Sequence, residues 1–272
     1  MYDEIKNKRL NFISIFKYSF DFIKNNLGTF IFLILLGVIL DLSYKYLYMN
    51  VYPELYVEYL YGNSDNLLNG IMTFLFLCLL LFIIRISTYT LLKIKFKYTV
   101  ENIYIDKNVF FKDILKIIFK VIMCLMFGFI YILTYGFLIS ILFSILDMFF
   151  NLTNYMFITI VTLIFIILGI FLWLKLFFIS NGPILLSGNS FNIFKETINI
   201  SRNNKKYIFL WILILIIIDF ILILIQNTAF IKLDNNFVFI IESIISKIAA
   251  IYLSLCNFIL FYNIYYLFKK EN

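Results

Sequence analysis

Long apolar runs alternate with short charged segments along this chain, and two of the junctions repeat one pattern. Residues 190–206 are basic and amphipathic, and they pass straight into an unbroken apolar run that carries a single acid, Asp219. The same design occupies residues 14–41, again ending on an acid, Asp41. Apolar runs of about eighteen residues or more recur along the chain, the length that crosses a hydrocarbon core of roughly 30 Å. They predict six spans, at about 29–48, 68–92, 121–146, 156–179 and 207–229, with the sixth inside 238–268.

The segments ahead of alternate spans read differently. In 12–27, Phe12, Phe16, Ser19 and Ile23 fall on one helical face with Ile13 and Phe20 beside it, while Lys17, Asp21 and Lys24 lie away from it. That spacing predicts a helix lying in the headgroup plane. Residues 93–120 hold seven lysines against Glu101, Asp106 and Asp113, with an apolar stripe of Phe110, Ile114, Ile117 and Ile118, and predict a second. Residues 190–206 predict the third. Asn181-Gly182-Pro183 separates it from the fourth span, because Gly permits turn conformations and Pro removes a donor. The sixth run is longer than a span needs at about 1.5 Å per residue. Either it tilts, or its start is a separate turn and the span begins near Ile248; the choice decides whether Lys247 is buried or sits at the outer interface.

Composition sharpens this picture. Of 272 residues, 63% are hydrophobic and 14% charged, with mean hydropathy +0.97, whereas soluble domains carry about 45–50% apolar and about 25% charged residues. The pattern is therefore that of an all-α, polytopic membrane protein, a single membrane domain over 1–272 in which three hairpins are each preceded by an amphipathic interfacial helix. A net charge of +7 in a soluble protein would suggest nucleic acid. Here the cations flank apolar runs, where the positive-inside rule and anionic headgroups account for them, so no nucleic-acid partner is expected. Eighteen of the twenty-three Lys and Arg fall on one set of segments: the stretch up to Gly28, 93–120, 181–206 and the last residues. Lys45 and Lys232 fall on the other side, and Arg85, Lys175 and Lys247 within spans. Both termini are expected to be cytoplasmic, with the acidic, tyrosine-rich loop 49–66 outside. No small-residue cleavage pattern follows the first run, which is expected to remain as an anchor.

Aligned at a constant offset of 178, residues 14–41 and 192–219 match at Phe16-Lys17, Asn25-Asn26 and Asp41 as well as at several apolar positions. The middle segment from Phe111 follows the pattern without the Asn pair or the acid. Three parallel units, about 12–97, 108–180 and 190–270, are expected. The stretch from Ser190 through Phe194-Lys195-Glu196-Thr197 to Asn203-Asn204-Lys205, the N-terminal Phe16-Lys17 to Asn26, and the closing Tyr262-Asn263 to Glu271 carry a likeness. With them the chain resembles the membrane-domain family attached to glycerophosphodiester phosphodiesterases and the YciC-like polytopic proteins of bacteria. The chain has Thr197 and Ile198 where members often carry serine and an aromatic. The resemblance implies six helices in a bacterial cytoplasmic membrane, and the family's catalytic barrel has no room here.

Candidate chemistry is confined to a few residues. Charges inside a membrane are costly and default to a functional hypothesis: Asp41 and Asp219 at matching positions, Arg85 nearer the inside, and Lys247, which lies at the depth of Asp219 and can pair with it if the sixth span is long. Two readings stand, structural ion pairs or proton and substrate coupling. For headgroup contact the candidates are Lys17, Lys24, Lys195, Arg202, Lys205 and Lys206. Cys78, Cys124 and Cys256 lie in apolar runs with no ligand spacing, and histidine is absent, so no metal, cofactor or catalytic residue is expected and the chain reads as non-enzymatic. The external Glu54 and Glu58 read as a solvated face. The expected partners are a bilayer with anionic headgroups and a protein partner or second copy. The expected role is an interaction or lipid-associated module. The alternative is a small-solute or lipid transporter, or permease subunit, using the intramembrane acids, for which Thr134, Thr162 and Gln226 are the other polar positions.

Overall fold

The computed structural model describes residues 3–47, 49, 64–103, 107–150, 155–230 and 236–271, and among them every regular element is a helix. In chain order these are α1 (Asp3–Asn7), α2 (Phe12–Asn25), α3 (Leu27–Tyr46), α4 (Ser64–Glu101), α5 (Lys107–Phe150), α6 (Tyr155–Leu176), α7 (Gly182–Leu185), α8 (Ser190–Asn203), α9 (Lys205–Phe230) and α10 (Asn236–Glu271). Among the described residues, five stretches are long and apolar enough to cross a membrane: Leu27–Tyr46, Gly70–Glu101, Lys112–Ile141, Lys205–Leu224 and Phe239–Lys270. Phe32, Phe76, Phe137 and Phe220 are each at least 60% exposed. Water would penalise such a surface and lipid does not. The chain is an all-helical, multi-pass membrane protein. Loop 51–63, with Glu54 and Glu58, and Lys232 lie outside the described residues.

The α2–α3 and α8–α9 junctions are built alike. Asn11 and Asn189 cap α2 and α8, each side chain accepting from the backbone N–H three residues on, at 2.7 and 2.8 Å. At the other end, Asn26 and Asn204 leave helical geometry (φ −128° and −116°). Their amides donate to the carbonyls of Phe22 and Ile200, at 2.9 and 3.1 Å, so they absorb carbonyls that the helix end would strand. Their own carbonyls accept from Phe30 and Ile208 and start the next helix. The buried side of α2 is Ile15, Tyr18, Ser19, Phe22 and Ile23, with Ile13 and Phe20 exposed, so its apolar side chains divide between a protein-facing and an outer surface. Replacing Asn11 or Asn189 with Ala is expected to lower stability by about 1 kcal/mol, measured by unfolding in detergent.

The middle segment differs from the expectation. Residues 93–101 complete α4, and 107–120 are the first turns of α5, which continues unbroken into its apolar stretch. Among the described residues, no separate surface helix precedes it. The reason is local: no Asn pair like Asn25-Asn26 or Asn203-Asn204 stands before the apolar stretch to end one helix and start another. At 44 residues α5 is about 66 Å long, more than twice the hydrocarbon thickness.

The chain forms two contact units. One contains Met1–Arg9, Lys107–Leu215 and Leu260–Asn272. Its core gathers Cys124, Ile179, Leu186, Ile193 and Phe194, with Phe178 tilted against Phe261 at 4.9 Å. Gly182, at the predicted break, sits so close to Thr197 of α8 that any Cβ there would overlap the threonine hydroxyl. The other unit contains Leu10–Asp106 and Ile216–Ile259. There Phe22, Phe96 and Phe258 meet edge to face, and Tyr252 stacks on Phe16 and donates to its carbonyl at 2.9 Å. Between α3 and α4, Lys95 donates to Thr29 at 2.7 Å, and further along α3 Tyr44 donates to the Cys78 carbonyl at 3.3 Å. The contacts occur in opposite order along the two helices.

Candidate functional site

The site is assembled by a period-four stripe on each of two helices of the second unit. On α3 the positions are Leu33, Gly37, Asp41 and Lys45; on α10 they are Phe239, Ser243, Lys247 and Ile251. Residues four apart share a helical face, so each stripe presents one row. The rows meet rung by rung. The Lys45 ammonium lies 4.1 Å from the Phe239 ring centroid. The Ser243 hydroxyl donates to Asp41 Oδ2 at 2.8 Å, and Lys247 Nζ meets Asp41 Oδ1 at 2.6 Å. Gly37, one turn before Asp41, leaves the Lys247 stem room to lie along α3: a Cβ there would stand 3.0 Å from its Cδ. Small residues serve this purpose in membrane helices, letting two backbones approach.

Both charges are withdrawn from the surface, with side-chain exposures of 6% for Lys247 and 22% for Asp41. Outside the membrane such a pair would compete with water. Inside it, each ion is the other's main compensation. Arg85, Thr88 and Tyr89 of α4 close the remaining side around a cavity of about 10 Å³, near the minimum for one water. One carboxylate thus lies beside two cations, and the void offers no passage for a solute.

The predicted residues separate accordingly. Asp41, Lys247 and Arg85 come together. Asp219 does not: it is exposed on α9 among Ile216, Ile217 and Phe220, and it has no partner among the described residues. The expected Lys247–Asp219 pair is replaced by Lys247–Asp41, because α10 presents Lys247 to the Gly37 notch of α3. The open question about the sixth run is also answered: α10 is one helix of 36 residues, and Lys247 is buried within it. Ser243 and Gly37 were missed by sequence reasoning. Their signal was the spacing of four from Lys247 and Asp41. Lys17, Lys24, Lys195, Arg202, Lys205 and Lys206 are all exposed. Lys175, expected to extend to the inner interface, holds its ammonium 4.4 Å from the Phe171 ring and 3.2 Å from the Tyr131 hydroxyl. Thr134 is exposed, its hydroxyl turned back to Ile130, and the Gln226 side chain lies outside the described residues.

No family model, curated protein or solved structure matches the chain.

Any functional conclusion therefore rests on the residues themselves. Among the described residues, no three His, Cys, Asp or Glu side chains group as metal ligands. The Asp41 carboxylate is engaged on both oxygens, by Lys247 and by Ser243. Such an acid is suited to holding helices together.

Proposed function

We propose that this chain is a non-enzymatic, membrane-embedded module that associates with anionic lipid at one face. Its six spans would form three hairpins of a bacterial cytoplasmic membrane, with both termini cytoplasmic. The two Asn-capped junctions would be copies of one unit, as the resemblance to the phosphodiesterase-linked membrane domains implies. The observation that carries the reading is the exposure of all six basic candidates on α2, α8 and the start of α9, beside helices that enter the apolar layer. Each cation near an anionic surface contributes about 1 kcal/mol of attraction. The transporter reading has less behind it, since Asp41 is paired and the void beside it is about 10 Å³.

Lipid retained by the purified full chain tests the proposal. Anionic lipid is expected to be enriched over its share of the parent membrane. That enrichment should fall when Lys17, Lys24, Lys195 and Arg202 are changed together to Gln. A retained lipid pool with the composition of the bulk membrane would overturn the lipid reading. Solute flux in reconstituted vesicles, abolished by Asp41→Asn, would favour the transporter instead.

A further inference from the structure

Residues 3–9, a polar stretch in the sequence, are built into the first unit. Asn263 of α10, fully buried, donates its amide to the carbonyls of Ile5 and Lys8, at 2.6 and 2.8 Å, and so holds the end of α1 in place. Lys270 donates to Asn7 Oδ1 at 2.6 Å, and the Lys6 ammonium lies over the Tyr266 ring at 5.3 Å. Arg9 is fixed by two groups of the α8–α9 junction: its Nη2 donates to Asn204 Oδ1 at 2.8 Å, and its guanidinium lies 5.0 Å from the Tyr207 ring centroid.

These anchors enclose an open pocket of about 870 Å³. Asn7, Lys8, Arg9, Asn203 and Asn204 form its polar side, and Ile264, Leu267 and Phe268 its apolar side. No acid lines it. Glu4 reaches Lys8 at 3.3 Å, an exposed pair of little strength. The Asn203-Asn204 wall stands at the amino end of α9, where the helix dipole favours an anion. Among the described residues, Arg9 gives one of its five N–H donors to Asn204, and a guanidinium fork matches phosphate oxygens.

We propose that this pocket binds one anionic phospholipid, its phosphate held by Arg9, Lys8 and the two asparagine amides, and its glycerol and upper acyl carbons against Ile264, Leu267 and Phe268. The volume is that of a site for a molecule with tens of heavy atoms, far more than a free phosphate fills. The apolar wall likewise selects a lipid. This assignment deepens the lipid-association reading and rests on it, but it names one stoichiometric site where that reading requires only a basic surface.

Native mass spectrometry of the intact chain in neutral detergent, titrated with phosphatidylglycerol, tests it. One lipid per chain is expected to saturate ahead of weaker binding, with phosphatidylcholine at least tenfold weaker. Arg9→Gln should weaken that first event about tenfold or more, the loss of a charge-assisted contact. Asn203→Asp, which leaves the Arg9–Asn204 bond intact, should do the same by repulsion. The lipid-free melting temperature of each variant reports whether it is folded. Lys116→Gln, at an exposed cation of α5 outside the pocket, should leave the first event unchanged. Equal binding of phosphatidylcholine would overturn the site, as would a first event unaffected in both folded pocket variants. Competition by millimolar inorganic phosphate would make it a free-phosphate site and overturn the lipid. Retained anionic enrichment without a saturable first event would sink this site alone. Absence of both would sink the broader reading as well.

Discussion

Asp41→Asn is expected to be among the most damaging single substitutions in this protein, while Asp219→Asn is expected to be nearly silent. Removing the Asp41 charge leaves Lys247 with its ammonium enclosed by α3, α4 and α10, beside Arg85 and without the carboxylate at 2.6 Å. Breaking a buried pair from one side costs about 3–5 kcal/mol, because the surviving charge is stranded. Lys247→Met should cost less, since Met refills the volume of the lysine stem and Asp41 keeps the Ser243 hydroxyl. The double variant Asp41→Leu with Lys247→Met removes both charges and should recover most of the loss, or exceed the parent by about 1–4 kcal/mol. Asp219 is exposed and has no partner among the described residues, so its neutralisation should change stability by at most about 0.5 kcal/mol. Unfolding of the purified variants in one detergent measures all four. Equal losses for Asp41→Asn and Asp219→Asn would contradict the assignment, because the two acids would then have equivalent surroundings.

The contrast between these acids marks where sequence stops being informative. The helical, membrane-crossing character is legible because lipid leaves a chain little choice: a run such as Leu27–Tyr46 has to satisfy its backbone internally, and helix is the way to do so. The asparagine pairs at 25–26 and 203–204 were legible as a repeated motif, and their physical use is local, as each stops one helix and starts the next. Partner choice is another matter. Asp41 and Asp219 align at the same offset and have similar flanks, but only Asp41 shares a face with a glycine one turn earlier. At the equivalent place before Asp219 stands Leu215, with no notch for a lysine stem. That difference was visible in the sequence. Its meaning depends on α10 packing against α3, a contact fixed by tertiary structure. The middle surface helix was expected for the opposite reason: its amphipathic stripe was real, but a stripe without a stop signal continues into the helix that follows. Neither Arg9 nor Asn263, the latter noted only within the closing motif, signalled its role, because the partners lie about 195 and 258 positions away.

Gly182→Ala is expected to lower stability by about 1–3 kcal/mol, a large effect for one added methyl group. Gly182 was read from the sequence as part of a helix break, and in the structure it is also a contact. A Cβ at this position would overlap the Thr197 hydroxyl and stand 3.1 Å from Thr197 Cβ and 3.3 Å from Cγ2. Thr197 has little freedom to retreat: it is 1% exposed and its hydroxyl donates to the Ile193 carbonyl at 2.7 Å. The neighbouring Ile193 and Phe194 belong to the core of this unit. Relief therefore requires α7 and α8 to separate. Thr197→Ala removes Oγ1 and Cγ2 together and should itself cost only the small void it leaves. Combined with Gly182→Ala it should recover a substantial part of the loss, a coupling of about 0.5–3 kcal/mol of the kind that residues in contact show. The four members of the cycle can be compared by unfolding in one detergent. Additive losses would mean that Gly182 acts only through its backbone freedom. That outcome is disfavoured by its conformation, since the glycine at positive φ in this region is Gly188, and Gly182 lies in the first turn of α7.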